Sequence, residues 1–152
     1  MDTRKVYDKM IRWPGGRWLF SKIVCQTAPY FHSIRPSVLE LSDHRCVIGV
    51  KKRRRVYNHI GTVHAIANCN AAELAMGLLM QASLPAHLRW IPKGMTVGYL
   101  KKADTDIRAV CDYPQILTAE PGDHRVPVKI LSTRDEVVVE AEILVYVSLK
   151  KG

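Results

Sequence analysis

From Ala65 to Gln81 only one residue, Glu73, carries a charge, and the rest of the stretch is rich in Ala, Leu and Met. Those side chains favour helix, and Pro85, a few residues on, cannot continue one. The pattern predicts a helix over 65–82 that is apolar around most of its circumference, and such a helix is normally buried on most sides. On either side of it the hydrophobic period drops to two. Cys46, Ile48 and Val50 alternate in a strand predicted over roughly 44–56, with basic residues filling its far end. Beyond the helix, Met95, Val97 and Tyr99 predict one strand, Ile107, Ala109 and Cys111 a second, and Val126, Val128 and Ile130 a third. The run Val137, Val139, Ala141, Ile143, Val145, Val147 predicts the last. Thr133-Arg134-Asp135-Glu136 reads as the turn that makes the final two a hairpin. A strand, a long helix and four meandering strands imply an α+β fold, with an antiparallel sheet curled round one helix.

Ahead of this core, residues 2–28 predict one or two short helices broken at Trp13-Pro14-Gly15-Gly16, and Pro29 and Pro36 punctuate a loop. Trp13, Trp18 and Phe20 are read as packing anchors in preference to a membrane-docking face. No repeat or linker interrupts the chain. One domain over 1–152 is expected, with a helical extension over 1–36 and the core over 37–152.

Composition narrows the class. Hydrophobic residues make up 47% and charged residues 24% of 152, ordinary for a globular protein, and no apolar run approaches the length of a bilayer-crossing helix. The first two dozen residues lack a continuous apolar stretch of the kind a signal peptide needs, so the cytoplasm is the expected location. Cys25, Cys46, Cys69 and Cys111 are widely spaced and read as reduced, mostly buried thiols. His59 and His64 are not at metal-ligand helical spacing, so no metal site is expected. The net charge of +9 is uneven: residues 1–55 hold 13 Lys/Arg against 4 Asp/Glu, and the remainder is balanced at 10 against 10. The excess ends in the run Lys51-Lys52-Arg53-Arg54-Arg55, which is either a solvated strand end or a contact for a polyanion such as a phosphorylated cofactor.

The candidate chemistry lies where the loop enters the helix, at Asn58-His59-Ile60-Gly61-Thr62-Val63-His64-Ala65. Gly61 permits a turn, Thr62 can satisfy free amides, and the first amides of a helix point outward with the positive end of its dipole. Those are the donors an oxyanion hole requires. Further along, Ile66, Asn70, Glu73, Gly77 and Gln81 share one stripe at three- and four-residue spacing, with no Lys or Arg beside Glu73. The stripe is either a solvated face or a site, and Asn70 either faces a strand as a structural hydrogen-bonder or joins that site. A thioester suits the second reading, because its leaving thiol, of pKa about 8.5, departs without a strong general acid. One carboxylate and one or two amide donors can then suffice.

The run 58–73 resembles the hotdog-fold thioesterases of the phenylacetate-pathway, or PaaI-like, type. Their pattern of Asn, then Gly-Thr-x-His, then a helix bearing an acid is met by Asn58, Gly61, Thr62, His64 and Glu73. Thr96-Val97-Gly98-Tyr99-Leu100 is similar to the strand the family places after its helix. The resemblance implies an acyl-coenzyme A substrate and no further cofactor, in a homodimer or dimer of dimers (a homotetramer) with composite sites at the subunit interface. It implies Glu73 of one subunit as base or nucleophile and the Ala65 amide of the other as donor to the thioester oxygen. Asn58 and His64 would orient loop or substrate. Gly61, Thr62 and Asn70 are read as substrate-binding positions, and Arg53, Arg54 and Arg55, from their clustered charge, as contacts for coenzyme A phosphates. Three positions depart from the family: Ala65 and Ile66 replace a glycine pair, Glu73 stands where many members carry Asp, and Gly77 takes the place of a hydroxyl. These departures leave a non-catalytic acyl-coenzyme A or fatty-acid binding protein as the alternative. A nucleic-acid partner is disfavoured, since the strands show no interleaving of aromatic and basic residues.

Overall fold

The computed structural model describes residues 2–150. Helix α1 (Thr3–Met10) and helix α2 (Gly16–Thr27) precede a 3₁₀ turn at Pro29–Ile34. Strands β1 (Ser37–Leu41) and β2 (Arg45–Val50) lead to the long helix α3 (Ala65–Ser83). Strands β3 (Leu88–Tyr99), β4 (Ile107–Asp112), β5 (Gly122–Ser132) and β6 (Val137–Leu149) complete the chain. The expected break between the first two helices falls at Gly15, whose φ of 78° is a left-handed value glycine adopts without strain.

All six strands join one antiparallel sheet in the order β1-β2-β4-β5-β6-β3, with α3 packed across one face. Ala71, Ala75, Met76 and Leu79 on the helix meet a sheet face that includes Ile48, Ala109, Val128, Ile130 and Ile143, all buried. Each fully buried Val, Leu, Ile or Met side chain contributes about 1.5–3 kcal/mol from leaving water. A second layer, α1 and α2, covers part of the helix's other side, where Phe20 is 2% exposed and packs edge-on against Tyr7 at 5.0 Å between ring centres. This sandwiching explains why α3 is apolar almost all round.

The two sheet edges differ. The amide of Val38 on β1 donates to Ser21 Oγ of α2 at 2.9 Å, and Ser21 in turn donates to the Arg17 carbonyl, so the N-terminal helices cap that edge. The other edge, β3, pairs with β6 on one side alone among the described residues. Cys46 and Cys111 face each other across β2 and β4 as free buried thiols, and burial pushes the Cys111 thiol up to about 12.

Several expectations change. The strand predicted over 44–56 ends at Val50, and the basic run lies in the following loop and the short turn Arg54–Val56, where consecutive cations avoid both sheet faces. β1 is an additional strand; it is short and irregular between Val38 and Glu40, which breaks its alternation. The last four strands are not a simple meander. β3 crosses to the far edge beside β6, leaving β4 to pair with β2, and as an edge strand it tolerates Pro92. Trp13 and Trp18 are 72% and 65% exposed, so Phe20 is the packing anchor and they are not. Among the described residues no helix is long and apolar enough to cross a membrane.

Candidate active site

The loop ahead of α3 is built on Asn58. Its Oδ1 accepts from the Ile60 and Thr62 amides at 3.1 and 3.0 Å, and its Nδ2 donates to Thr62 Oγ1 at 2.7 Å. Gly61, at φ 74°, lets the chain double back so that the Asn58 amide reaches the Thr62 carbonyl at 2.9 Å. Asn58 and Thr62 are therefore spent on each other, and Thr62 does not cap the helix. His64 does: its Nδ1 accepts the Ile66 amide proton at 3.0 Å. A ring that accepts at Nδ1 carries its proton, when neutral, on Nε2. The neighbouring Ala65 amide, partly buried at the first helical position, donates to no group among the described residues. It is the free donor that a helix N-terminus offers to developing negative charge.

Glu73 lies two turns further along α3. Its carboxylate is exposed and has no ion-pair or hydrogen-bond partner among the described residues. It stands at a cavity of about 500 Å³ between α3 and the N-terminal helices. The wall is almost wholly apolar: Phe20, Val24 and Phe31 on one side, Leu74 and Leu78 on the other, with Trp90 of β3 at the end. Gly77 and Gln81 continue the α3 side of this wall.

The predicted stripe divides in three dimensions. Glu73, Gly77 and Gln81 share the apolar cavity, whereas Asn70 turns away with His64, Ile66 and Arg55 to a smaller hollow of about 200 Å³. Asn70 does not face a strand: its Nδ2 donates to Ser33 Oγ of the 3₁₀ turn at 3.0 Å, and its buried Oδ1 has no partner. Ala65, Asn58 and Thr62 line a third hollow, of about 440 Å³, whose opposite wall is Tyr99 and the segment that follows it. Eight residues of helix put the Ala65 amide and Glu73 about 12 Å apart along the axis. Within one chain the two groups do not address one point. Arg53 lines a cleft beside α2, Arg55 the hollow beside His64, and Arg54 is exposed on its turn, so none of the three borders the Glu73 cavity.

Sequence reasoning missed one contact on this face. Between Ala65 and Glu73, one turn from each, Cys69 Sγ lies 3.2 Å from Tyr99 Oη on β3. That hydrogen bond, with partial burial, pushes the Tyr99 hydroxyl up to about 12. The four-residue spacing of Ala65, Cys69, Glu73 and Gly77 is visible in sequence, but the pairing with Tyr99 depends on where β3 crosses. Among the described residues no three His, Cys, Asp or Glu side chains are grouped closely enough to hold a metal ion.

Comparison with known proteins places this arrangement. The family model described as Domain of unknown function (DUF4442) matches residues 16–147. A crystal structure from a genomics programme is 47% identical, covering 97% of this chain and 99% of that chain, with a TM-score of 0.87. A Pseudomonas aeruginosa protein described as a "Probable Thioesterase" is 21% identical over 84% of this chain and 92% of its own, at TM-score 0.78. A Haemophilus influenzae thioesterase, 9% identical, covers 79% of this chain and 82% of its own at TM-score 0.70. The curated proteins contain no match. These structural likenesses show the hotdog architecture, a sheet wrapped round a central helix.

Proposed function

The chain belongs to the DUF4442 family, and from that footing we propose that it hydrolyses acyl-coenzyme A to the free acid and coenzyme A. The observation that carries this reading is Glu73, an unpaired carboxylate at the mouth of an apolar cavity. An acyl chain would fill the cavity, and its thioester carbonyl would lie beside the carboxylate. The PaaI-like pattern of Asn58, Gly61, Thr62, His64 and Glu73, together with hotdog neighbours described as thioesterases, supports the same chemistry.

The site is completed by a second copy of the chain. The open β3 edge offers twelve residues of strand to a partner, and a long unpaired edge calls for cover. Such pairing would bring the free Ala65 amide of one copy toward the Glu73 of the other, removing the separation seen within one chain. In the reaction Glu73 takes a proton from water as the water oxygen bonds to the carbonyl carbon. The carbonyl oxygen becomes an oxyanion held by the Ala65 amide and the helix dipole. Collapse breaks the carbon–sulfur bond, the thiolate leaves, and the proton passes from Glu73 to product or solvent. His64 keeps the first turn of α3 in shape by its cap, and Asn58 fixes the loop. Direct attack by Glu73, through an anhydride that water then opens, uses the same groups.

Release of free thiol from a panel of acyl-coenzyme A substrates, wild type against Glu73→Gln, tests the reading. Turnover that depends on Glu73 is expected, and equal rates would remove Glu73 from the mechanism. A second reading, acyl binding without turnover, is favoured by Gly77, where Trp90 fills the space a water-holding hydroxyl would need. Calorimetric binding of acyl-coenzyme A with no thiol release would establish it.

A further inference from the structure

Helix α2 separates two cavities of opposite character. Phe20, Ile23 and Val24 face the apolar cavity of Glu73. Arg17, Ser21 and Cys25, on an adjacent side of the helix, face a cleft of about 700 Å³ closed by the start of β1 and the loop after β2. Five Lys or Arg side chains line that cleft, namely Arg17, Lys22, Arg35, Lys51 and Arg53, and no Asp or Glu does. Five of the thirteen Lys and Arg of residues 1–55 thus share one concavity.

These cations are also unpaired. Eight other Lys and Arg side chains form ion pairs among the described residues, and none of the five does. Acids are available to the fold but are placed elsewhere. Like charges around a low-dielectric hollow repel one another and raise its potential, which attracts a concentrated anion. Arg53 is held in place: its Nε is buried without a partner, and a terminal nitrogen lies 3.5 Å from the Arg35 carbonyl. Arg35 itself has a φ of 45°, an uncommon value for a residue with a side chain. At the rim stands Trp18, 65% exposed, with Lys22 Nζ 5.5 Å from its ring centre.

Cations round a hollow and an aromatic plane at its rim match a ligand with phosphates at one end and a flat ring at the other. The cleft's volume is in the range of small-molecule sites, about 300–1,000 Å³. We propose that it binds a nucleotide carrying two or more phosphate groups, with Trp18 stacking on the base and the five cations taking the phosphates. The source is either a free nucleoside polyphosphate or the nucleotide end of coenzyme A. The assignment goes beyond the hydrolysis reading and stands without it.

Calorimetry and tryptophan fluorescence on the full chain, with ATP, coenzyme A, adenosine 3′,5′-bisphosphate and inorganic tripolyphosphate, test this. Binding that weakens with salt is expected. The double substitution Arg17→Glu, Lys51→Glu, at exposed side chains, is expected to weaken it tenfold or more while leaving the melting transition in place. Trp18→Ala is expected to weaken nucleotides several-fold and leave tripolyphosphate unchanged. Coenzyme A and the bisphosphate binding without ATP would support the site with the coenzyme as source, and ATP binding as tightly would support it with free nucleotide as source. Glu73→Gln should bind these probes as the wild type does, which separates this site from the hydrolysis reading. No binding of any probe at millimolar concentration, binding indifferent to the substitutions, or attachment to anionic vesicles alone would overturn it.

Discussion

Gly77 of α3 lies directly against the indole of Trp90 on β3: a Cβ placed on the glycine would sit 3.2 Å from Trp90 Cη2. The contact joins the central helix to the edge strand and sets the end wall of the Glu73 cavity. The glycine is a seat for that ring.

Gly77→Ala should therefore do two things. Replacing a glycine inside a helix stabilises it by up to about 1 kcal/mol. The new methyl would also push Trp90 a few tenths of an ångström into the open cavity, which can accept it. A higher Tm, with the preferred acyl chain shifted to shorter lengths, is expected in melting and turnover assays; an unchanged chain-length profile would detach Trp90 from substrate selection.

Glu73→Gln should lower thioester hydrolysis at least about a hundredfold, the lower range for a lost general base. Because the carboxylate is exposed and unpaired, stability should change by no more than about 0.5 kcal/mol. Parallel kinetics and urea unfolding would separate a chemical role from a structural one.

Removing the helix cap is the counterpart. His64→Ala deletes the acceptor of the Ile66 amide and should cost about 1 kcal/mol, while His64→Asn, which also caps, should recover most of it. If both variants lose stability equally, the Nδ1 contact is not what holds the first turn.

Ser21→Ala tests how the β1 edge is closed. It leaves the buried Val38 amide without its acceptor, a loss of about 1–3 kcal/mol. Denaturant unfolding of this variant should show that fall, and a neutral result would mean another group reaches the amide.

The Tyr99 hydroxyl, raised to about 12 chiefly by its bond to Cys69, gives a pH signature. The folded state holds that proton more tightly than the unfolded chain, whose tyrosine titrates near about 10. Its contribution to stability is then fully present below about pH 10 and lost as pH rises through about 12. Ultraviolet titration should find Tyr99 among the late tyrosines, with Tyr7 and Tyr113, whose hydroxyls burial also raises, and Cys69→Ala should return Tyr99 alone toward the ordinary value.

Much of this architecture was legible in the chain itself. The helix with a single charge, the alternating strands, the Pro-Gly-Gly break and the 133–136 hairpin are local patterns, and local backbone preference with one-sided burial fixes them. The loop motif also pointed at its own geometry, since Asn58, Gly61 and Thr62 form a closed hydrogen-bonded unit within five residues. What only the tertiary structure decided was which residues share a space. β3 crosses to the far edge and so brings Tyr99 to Cys69 and Trp90 to Gly77, contacts between residues distant in sequence. α2 lies between an apolar cavity and a basic cleft, and five cations of a charge excess that composition alone shows as one block line that cleft. The stripe on α3 has one period in sequence, but its neighbours differ along the helix, so Asn70 and Glu73 end in different hollows. Periodicity determines which way a side chain points from its own element; packing between elements determines what it meets there.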